Sequence, residues 1–153
     1  MSQFPRAGRV EWIGLRPARK EPMRVVQAVF AHAGGGLEGD RYKGSGKRGV
    51  TLIQAEHLPA IASLAGLAEV RPALLRRNIV SGLPLIALVG RRFAIGDVVL
   101  EGTEECDPCA NMETALGAGG FNAMRGHGGL CARIVEGGEI KCGDTVHDLG
   151  AAP

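Results

Sequence analysis

Apolar and β-branched residues in this chain fall into many short runs separated by glycine-rich turns. Runs of this kind predict strands, and the turn residues between them predict reversals of the chain. Gly96-Asp97 lies between two such runs, and Glu136-Gly137-Gly138 is a second, stronger turn signal. The predicted strands are Arg9–Leu15, Met23–Ala31, Val50–Ile53, Arg77–Ser81, two strands within Arg91–Cys106, Cys131–Val135 and Ile140–Val146.

Helical patterns are few and short. Ala55–Leu67 suits a helix with Pro59 near its first turn, where proline costs no intrahelical hydrogen bond. A helical turn that opens at its proline is expected in Arg71–Leu75, and a short helix in Cys109–Leu116. The glycines of Gly117–Gly129 predict a loop. Together these elements favour a mostly β, β-barrel-like fold with a few short helices, for which α+β is the looser label.

The length and charge of the chain limit the function classes. Its 153 residues predict one domain that spans residues 1–153, and its 24 glycines indicate tight turns and close backbone approaches. The net charge is only +2 and no long basic run occurs, so no nucleic-acid partner is expected. Neither a secretory signal nor a membrane span is visible in the sequence. We therefore expect a cytoplasmic protein whose four cysteines are reduced thiols.

Positive residues come in small clusters. Most such clusters belong to a solvated surface, but guanidinium and ammonium groups also bind phosphate. Spacing alone does not choose between a solvated surface and a phosphate-binding rim. The clusters are Arg16, Arg19 and Lys20; Lys43, Lys47 and Arg48; Arg71, Arg76 and Arg77; and Arg91 and Arg92.

The sharpest local motif is Cys106-Asp107-Pro108-Cys109. Two thiols at this spacing can chelate a metal, form a redox disulfide or supply one activated thiolate. A zinc site would need two more ligands, and neither the remaining cysteines nor His127 stand at a spacing that specifies one. Cys109 precedes a predicted helix, and the positive end of the helix dipole would favour its thiolate form.

Three further motifs offer polar or charged groups near glycines or turns. Asp40-Arg41 follows a glycine-rich loop, Arg77-Asn78 opens a predicted strand, and Arg125-Gly126-His127 lies in the later glycine loop ahead of Arg133. Arginine can bind phosphate or carboxylate through two parallel hydrogen bonds. A glycine loop that carries Arg and His could close over an anionic ligand. For each motif an ordinary surface turn or a solvated loop is the alternative.

Four segments in order resemble the MOSC family, the domain found at the C-terminus of molybdenum-cofactor sulfurases. The resemblance runs from about Val10 to about Val146 and is closest to the short, stand-alone bacterial members. One departure is His127, which stands where members commonly carry arginine and is cationic only part of the time near neutral pH. The segments are GLEGDR at Gly36–Arg41, VTLIQAEHL at Val50–Leu58, RRNIVSGLPLIALVGRRFAIGDVVLEGTEECDPC at Arg76–Cys109 and GGLCARIVEGGEIKCGDTV at Gly128–Val146.

The resemblance implies a barrel-like domain that binds the molybdenum cofactor (molybdopterin). It implies that Cys109 carries sulfur as a persulfide or ligates molybdenum, in sulfur transfer or in reduction of N-hydroxylated compounds. The implied partners are a small-molecule cofactor or substrate and a cysteine desulfurase or redox protein. The residues expected to contact the cofactor are Asp40, Arg41, Arg77, Asn78, Arg125, His127 and Arg133.

Two other functions remain open from the sequence. One is a thiol–disulfide redox protein that uses Cys106 and Cys109. The other is a non-catalytic module that holds a pterin or phosphate compound without turnover. Loss of Cys106 would disable only the redox protein, whereas loss of Cys109 would leave binding by a non-catalytic module nearly intact.

Overall fold

The computed structural model describes residues 3–42, 44 and 47–153. Lys43, one of the cations in the predicted phosphate-binding rim, lies outside the described residues. The described residues form ten strands, four α-helices and one 3-10 helix. In chain order these are β1 Gly8–Leu15, β2 Arg24–Val26, β3 Ala28–Ala31, β4 Val50–Gln54, α1 His57–Ala65, α2 Pro72–Leu75, β5 Ile79–Ser81, the 3-10 helix Leu85–Leu88, β6 Arg91–Ile95, β7 Val98–Glu105, α3 Asn111–Leu116, α4 Gly120–Met124, β8 Leu130–Glu136, β9 Gly138–Lys141 and β10 Thr145–Ala151.

Seven strands close into a barrel, which confirms the predicted mostly β, barrel-like fold. Their order is β10-β6-β7-β8-β4-β5-β1, and β1 closes the ring by pairing with β10. Neighbouring barrel strands are antiparallel except β4 and β5, which are parallel. In β7, Val98 and Leu100 alternate with more exposed residues, as the period of a half-buried strand requires. β2 extends the sheet along the second half of β1, and β3 and β9 form a separate pair.

Apolar side chains form two clusters, one inside the barrel and one between the barrel and the helices. Phe93 and Leu100 are fully buried in the barrel interior. The second cluster contains Ile61 of α1, Leu75 of α2 and Met112 of α3, together with side chains of β4 and β5. The helices therefore lie on the outer face of β4 and β5, and this packing places α3 beside α2.

Two predicted strands are each divided in the structure. Met23–Ala31 separates at Gln27, because β2 pairs with β1 whereas β3 pairs with β9. Ile140–Val146 separates at Gly143, whose φ of 93° makes a turn between β9 and β10. Partners that lie far along the chain set these breaks, so local patterns do not reveal them.

The helices agree with the sequence except for two additions, α4 and the 3-10 helix Leu85–Leu88. Pro59 lies in the first turn of α1, and α2 starts at Pro72, as predicted. The predicted loop Gly117–Gly129 contains α4, whose first amides are held by the Glu113 carboxylate of α3. In the described part of the chain, no helix combines the length and the apolar character that crossing a membrane requires.

Candidate functional site

Cys109 lies on the surface, in the segment that joins β7 to α3. All four cysteines are free thiols, and Cys109 is the exposed one, while Cys106 and Cys131 are buried. The carbonyl oxygen of Cys109 accepts a hydrogen bond of 2.9 Å from the Met112 amide. This bond fixes the first turn of α3 directly behind the thiol-bearing residue.

A groove of about 1120 Å³ runs along α3. One wall is formed by Asn111, Met112, Thr114 and Ala115 of α3, and Cys109 lies two residues before that wall begins. Cations outnumber carboxylates five to one in the lining, so the groove attracts anions. We call it the basic groove; its charged lining residues are Arg19, Lys20, Arg41, Arg71, Arg76 and Glu69.

Asp40 anchors the segment that carries Arg41 into the basic groove. Its buried carboxylate accepts hydrogen bonds from the Arg16 guanidinium at 3.0 and 3.3 Å, and from the amides of Arg16 and Tyr42. Burial opposes ionisation of Asp40, but these bonds and the Arg16 charge outweigh it and lower its pKa. Asp40 is therefore an ionised structural anchor, and the adjacent Arg41 is exposed.

Asn78 lies behind Asp40 and is fully buried. Its Nδ2 donates hydrogen bonds to the Gly14 carbonyl at 3.0 Å and to Asp40 Oδ1 at 3.1 Å. Its Oδ1 accepts hydrogen bonds from the Thr51 amide and hydroxyl. The side chain thus joins β1, β4 and Asp40, and its contact with a cofactor stays a prediction.

Arg76 holds one side of the basic groove in place. It adopts a left-handed backbone conformation, with a φ of 56°, which costs a non-glycine residue roughly 1 kcal/mol. Its guanidinium donates hydrogen bonds to the carbonyls of Ala18 and Glu21 in the β1–β2 loop. Burial, followed by the charges of Arg16 and Arg41, lowers its pKa. The guanidinium groups of Arg16 and Arg41 therefore lie near that of Arg76.

Arg77, the next residue, points into the protein and is 8% exposed. It donates hydrogen bonds to the carbonyls of Gly128 at 2.8 Å and Leu75 at 3.1 Å, with longer bonds to those of Cys106 and Asp107. The guanidinium therefore clamps the cysteine-bearing segment to the loop before β8. Sequence reasoning predicted a cofactor contact for Arg77, and the structure places the side chain behind the segment that carries Cys109.

Cys106 faces away from the surface and contacts Cys131 on β8. The two side chains form a hydrogen bond, and Arg48 Nη2 lies 3.7 Å from Cys106 Sγ. The pKa of Cys106 is lowered to about 6 by the hydrogen bond from Cys131, and further by the charges of Arg77 and Arg48, although burial acts in the opposite direction. The interaction with Cys106, followed by burial, raises the pKa of Cys131. Cys131 is therefore the protonated thiol beside the Cys106 thiolate.

Arg125 and Arg133 lie away from the basic groove. Arg125 is exposed after α4, and its Nε donates a hydrogen bond to Asn122 Oδ1 at 2.9 Å. Arg133 on β8 forms an ion pair of 2.7 Å with Glu101 on β7. The structure does not bring these two predicted residues to the groove that Arg41 lines.

His127 also lies outside the groove lining and packs against His57 of α1. The ring centroids are 4.7 Å apart in an edge-on arrangement. Burial, followed by the charge of His127, lowers the pKa of His57. The buried Nδ1 of His127 finds no hydrogen-bond partner among the described residues.

Comparison with known proteins decides the family. The family model for the MOSC domain matches residues 39–147, which include the anchor Asp40, both arginines at 76 and 77, and Cys109. The chain belongs to the MOSC family. The sequence resemblance indicates the same family, and the match covers more than two thirds of this chain.

Solved structures with this fold have low sequence identity to this MOSC domain. YuaD from Bacillus subtilis superposes with a TM-score of 0.82 at 18% identity, covering 94% of this chain and 97% of that one. YiiM from Escherichia coli superposes with a TM-score of 0.73 at 16% identity, covering 94% of this chain and 71% of that one. YiiM from Geobacillus stearothermophilus superposes with a TM-score of 0.75 at 13% identity, covering 93% of this chain and 75% of that one. No curated protein sequence matches significantly. At these identities the structures support the fold alone.

Sequence reasoning missed two features of the MOSC domain. It left the cluster of Arg76 open between a solvated surface and a phosphate-binding rim, whereas the structure places Arg76 in the lining of the basic groove. It considered Cys109 as the only thiol partner of Cys106, in the alternative redox protein, whereas the side chain of Cys106 interacts with that of Cys131. No three side chains of His, Cys, Asp or Glu converge as a metal cluster in the ranges 3–42, 44 and 47–153.

Proposed function

We propose that this MOSC domain binds the molybdenum cofactor in the basic groove and uses Cys109 as a sulfur carrier or as a molybdenum ligand. The observation that supports the proposal is an exposed thiol that lies two residues before α3, the helix that lines a cation-rich groove. Family membership supports the same cofactor, because MOSC domains are associated with it.

The residues around the groove fit the chemistry of this cofactor. Molybdopterin carries a phosphate, and guanidinium and ammonium groups are the usual phosphate donors. A thiolate is a soft ligand and a sulfur nucleophile, as both roles of Cys109 require. The volume of about 1120 Å³ lies close to the upper end of the roughly 300–1,000 Å³ of small-molecule sites.

Different residues are assigned different tasks. Arg41 and Arg76, which both line the groove, are proposed to contact the phosphate. Asp40 and Asn78 hold Arg41 in place from behind, and Arg77 holds the segment that carries Cys109. Contact between the cofactor and Arg125, His127 or Arg133 stays a prediction.

Two reaction classes suit this site, namely sulfur transfer and reduction of N-hydroxylated compounds. When bound, the cofactor would supply a redox-active molybdenum centre. Cys109 would supply either the sulfur that is handed on or the protein ligand. A cysteine desulfurase would serve as sulfur donor in the first class, and a redox protein as electron donor in the second.

The two alternatives make different demands on the cysteines. A redox protein built on the CxxC motif needs Cys106 and Cys109 in contact, whereas the hydrogen bond of Cys106 is to Cys131. A non-catalytic module needs the basic groove and not the thiol. The exposure of Cys109 beside the groove favours the cofactor-linked function over both.

Purification from a host that makes the molybdenum cofactor tests the role of the groove. Arg41→Ala should retain roughly tenfold less bound pterin and molybdenum at limiting cofactor, because it loses one charged phosphate contact worth about 1.4 kcal/mol. Arg9→Ala removes an exposed arginine outside the groove lining and is the matched control. Equal pterin and molybdenum contents in the two variants would reject the groove as the binding site.

A further inference from the structure

Two of the four cysteines lie in contact within the barrel wall and have no part in the proposed function. Cys106 follows the end of β7 and is 2% exposed, and Cys131 on β8 is fully buried. In the β7–β8 pairing Glu104 lies opposite Cys131, and Cys106 follows Glu104 by two residues, so the two cysteines are diagonal neighbours that interact through their side chains. The amide of Cys106 donates to the Gly129 carbonyl at 2.8 Å, so the chain around Cys106 runs alongside β8. Two sulfur atoms are therefore held together on neighbouring chain segments.

Cations surround this thiol pair. Arg48 Nη2 lies 3.7 Å from Cys106 Sγ, and Arg77 binds the carbonyl of Cys106 and adds a second positive charge. Glu104 on β7 is the nearby carboxylate that acts on Arg48 and Cys131. Because Arg48 contacts Cys106 directly, the negative charge belongs on Cys106, and Cys131 donates the hydrogen bond.

We propose that Cys106 and Cys131 are a peroxide-reactive thiol pair that closes to a disulfide. The Cys106 thiolate attacks one oxygen of hydrogen peroxide; an S–O bond forms, the O–O bond breaks, and the leaving hydroxide takes a proton to become water. The Cys131 sulfur then attacks the Cys106 sulfur, an S–S bond forms, and the oxygen departs with the Cys131 proton as a second water. Both cysteines are oxidised by one electron each, and one peroxide is reduced.

Burial selects the oxidant. Cys109 is exposed, whereas Cys106 and Cys131 are both buried, which favours a small oxidant such as hydrogen peroxide over a larger one. The pair also does not depend on Cys109, so it would react in the same way whether or not the MOSC domain binds a cofactor. Failure of the cofactor proposal would therefore leave this one intact, and the reverse also holds.

Peptide mass spectrometry on the full-length chain tests the proposal. Trypsin places Cys106 in Phe93–Arg125 and Cys131 in Gly126–Arg133, so their disulfide joins two peptides. In a Cys109→Ser background, hydrogen peroxide should produce this joined peptide with a loss of about 2 Da, and dithiothreitol should reverse it. Adding Cys142→Ser should change nothing, and adding Cys131→Ser should abolish the joined peptide.

The rate of joining gives a second readout. A Cys106 thiol with a pKa of about 6 is mostly thiolate at pH 7, so the rate should fall roughly tenfold at pH 5. Arg48→Gln should slow joining at pH 7 several-fold, whereas Arg9→Gln should not. Absence of the joined peptide in the folded Cys109→Ser protein would overturn the proposal. A Cys106–Cys109 disulfide in place of Cys106–Cys131 in the unmutated chain would overturn it as well.

Discussion

Arg41 and Arg77 carry the same guanidinium group in opposite environments. Arg41 is exposed at the basic groove, where its charge is available to an anion. Arg77 is buried, and its donors are occupied by main-chain carbonyls of Gly128, of Leu75 and of the cysteine-bearing segment. A buried cation whose hydrogen bonds are made stabilises the chain around it, and an exposed one recruits ligands.

Replacing Arg77 with Met tests its structural role. The carbonyls of Gly128 and Leu75 would lose buried charged donors, so the free energy of unfolding should fall by roughly 3 kcal/mol in urea titrations. Arg125→Met removes an exposed arginine that contacts only its neighbours Asn122 and Phe121 among the described residues, and it should cost under about 0.5 kcal/mol. Similar losses for the two variants would contradict the assigned clamp.

Asp40 makes stability depend on pH. Its folded-state pKa is lowered relative to the unfolded state, so the ionised carboxylate stabilises the fold above about pH 4 and less as pH falls through the folded pKa. Asp40→Asn should therefore lower the free energy of unfolding by roughly 3 kcal/mol at pH 7. At pH 3 this loss relative to the unmutated chain should be smaller. Asp97→Asn, in an exposed turn, serves as the control in the same urea titrations. A loss that is independent of pH would contradict the ion-pair account.

Among the elements, two short segments outside regular secondary structure set the position of Cys109. The segment from Cys106 to Ala110 is held against the glycine loop before β8 by the Arg77 clamp and by close backbone contact. A Cβ atom on Gly128 would lie 2.0 Å from the Cys106 carbonyl oxygen. Glycine at 128 is thus a condition for the approach of these two segments.

Gly128→Ala tests the fit between the two segments. The added methyl group must displace the Cys106 carbonyl, so the free energy of unfolding should fall by about 2 kcal/mol. Gly35→Ala is the control, because its added Cβ would meet its nearest atoms at 3.5 Å, an ordinary contact. Thermal and urea unfolding of both variants gives the comparison, and an unaffected Gly128→Ala protein would refute the close packing.

At the scale of the whole molecule, local patterns predicted more of the fold than of the site. The β6–β7 hairpin and the proline-initiated α2 follow from neighbouring residues, so both were predicted. The β3–β9 pair joins segments more than a hundred residues apart, and nothing local encodes such a partner. The same holds for the contact between Cys106 and Cys131, and for the groove, which α3 and segments near residues 20, 41 and 71–76 build together.

The proposed role of Cys109 in this MOSC domain is that of sulfur carrier or molybdenum ligand. The most direct measurement is molybdenum analysis and intact-protein mass spectrometry on the chain from a cofactor-competent host, beside Cys109→Ser and the control Cys142→Ser. We predict either near-stoichiometric molybdenum or an addition of about 32 Da, one sulfur atom, on Cys109. The signal should survive in Cys142→Ser and disappear in Cys109→Ser. Neither signal in the unmutated chain, or an undiminished one in Cys109→Ser, would contradict the account.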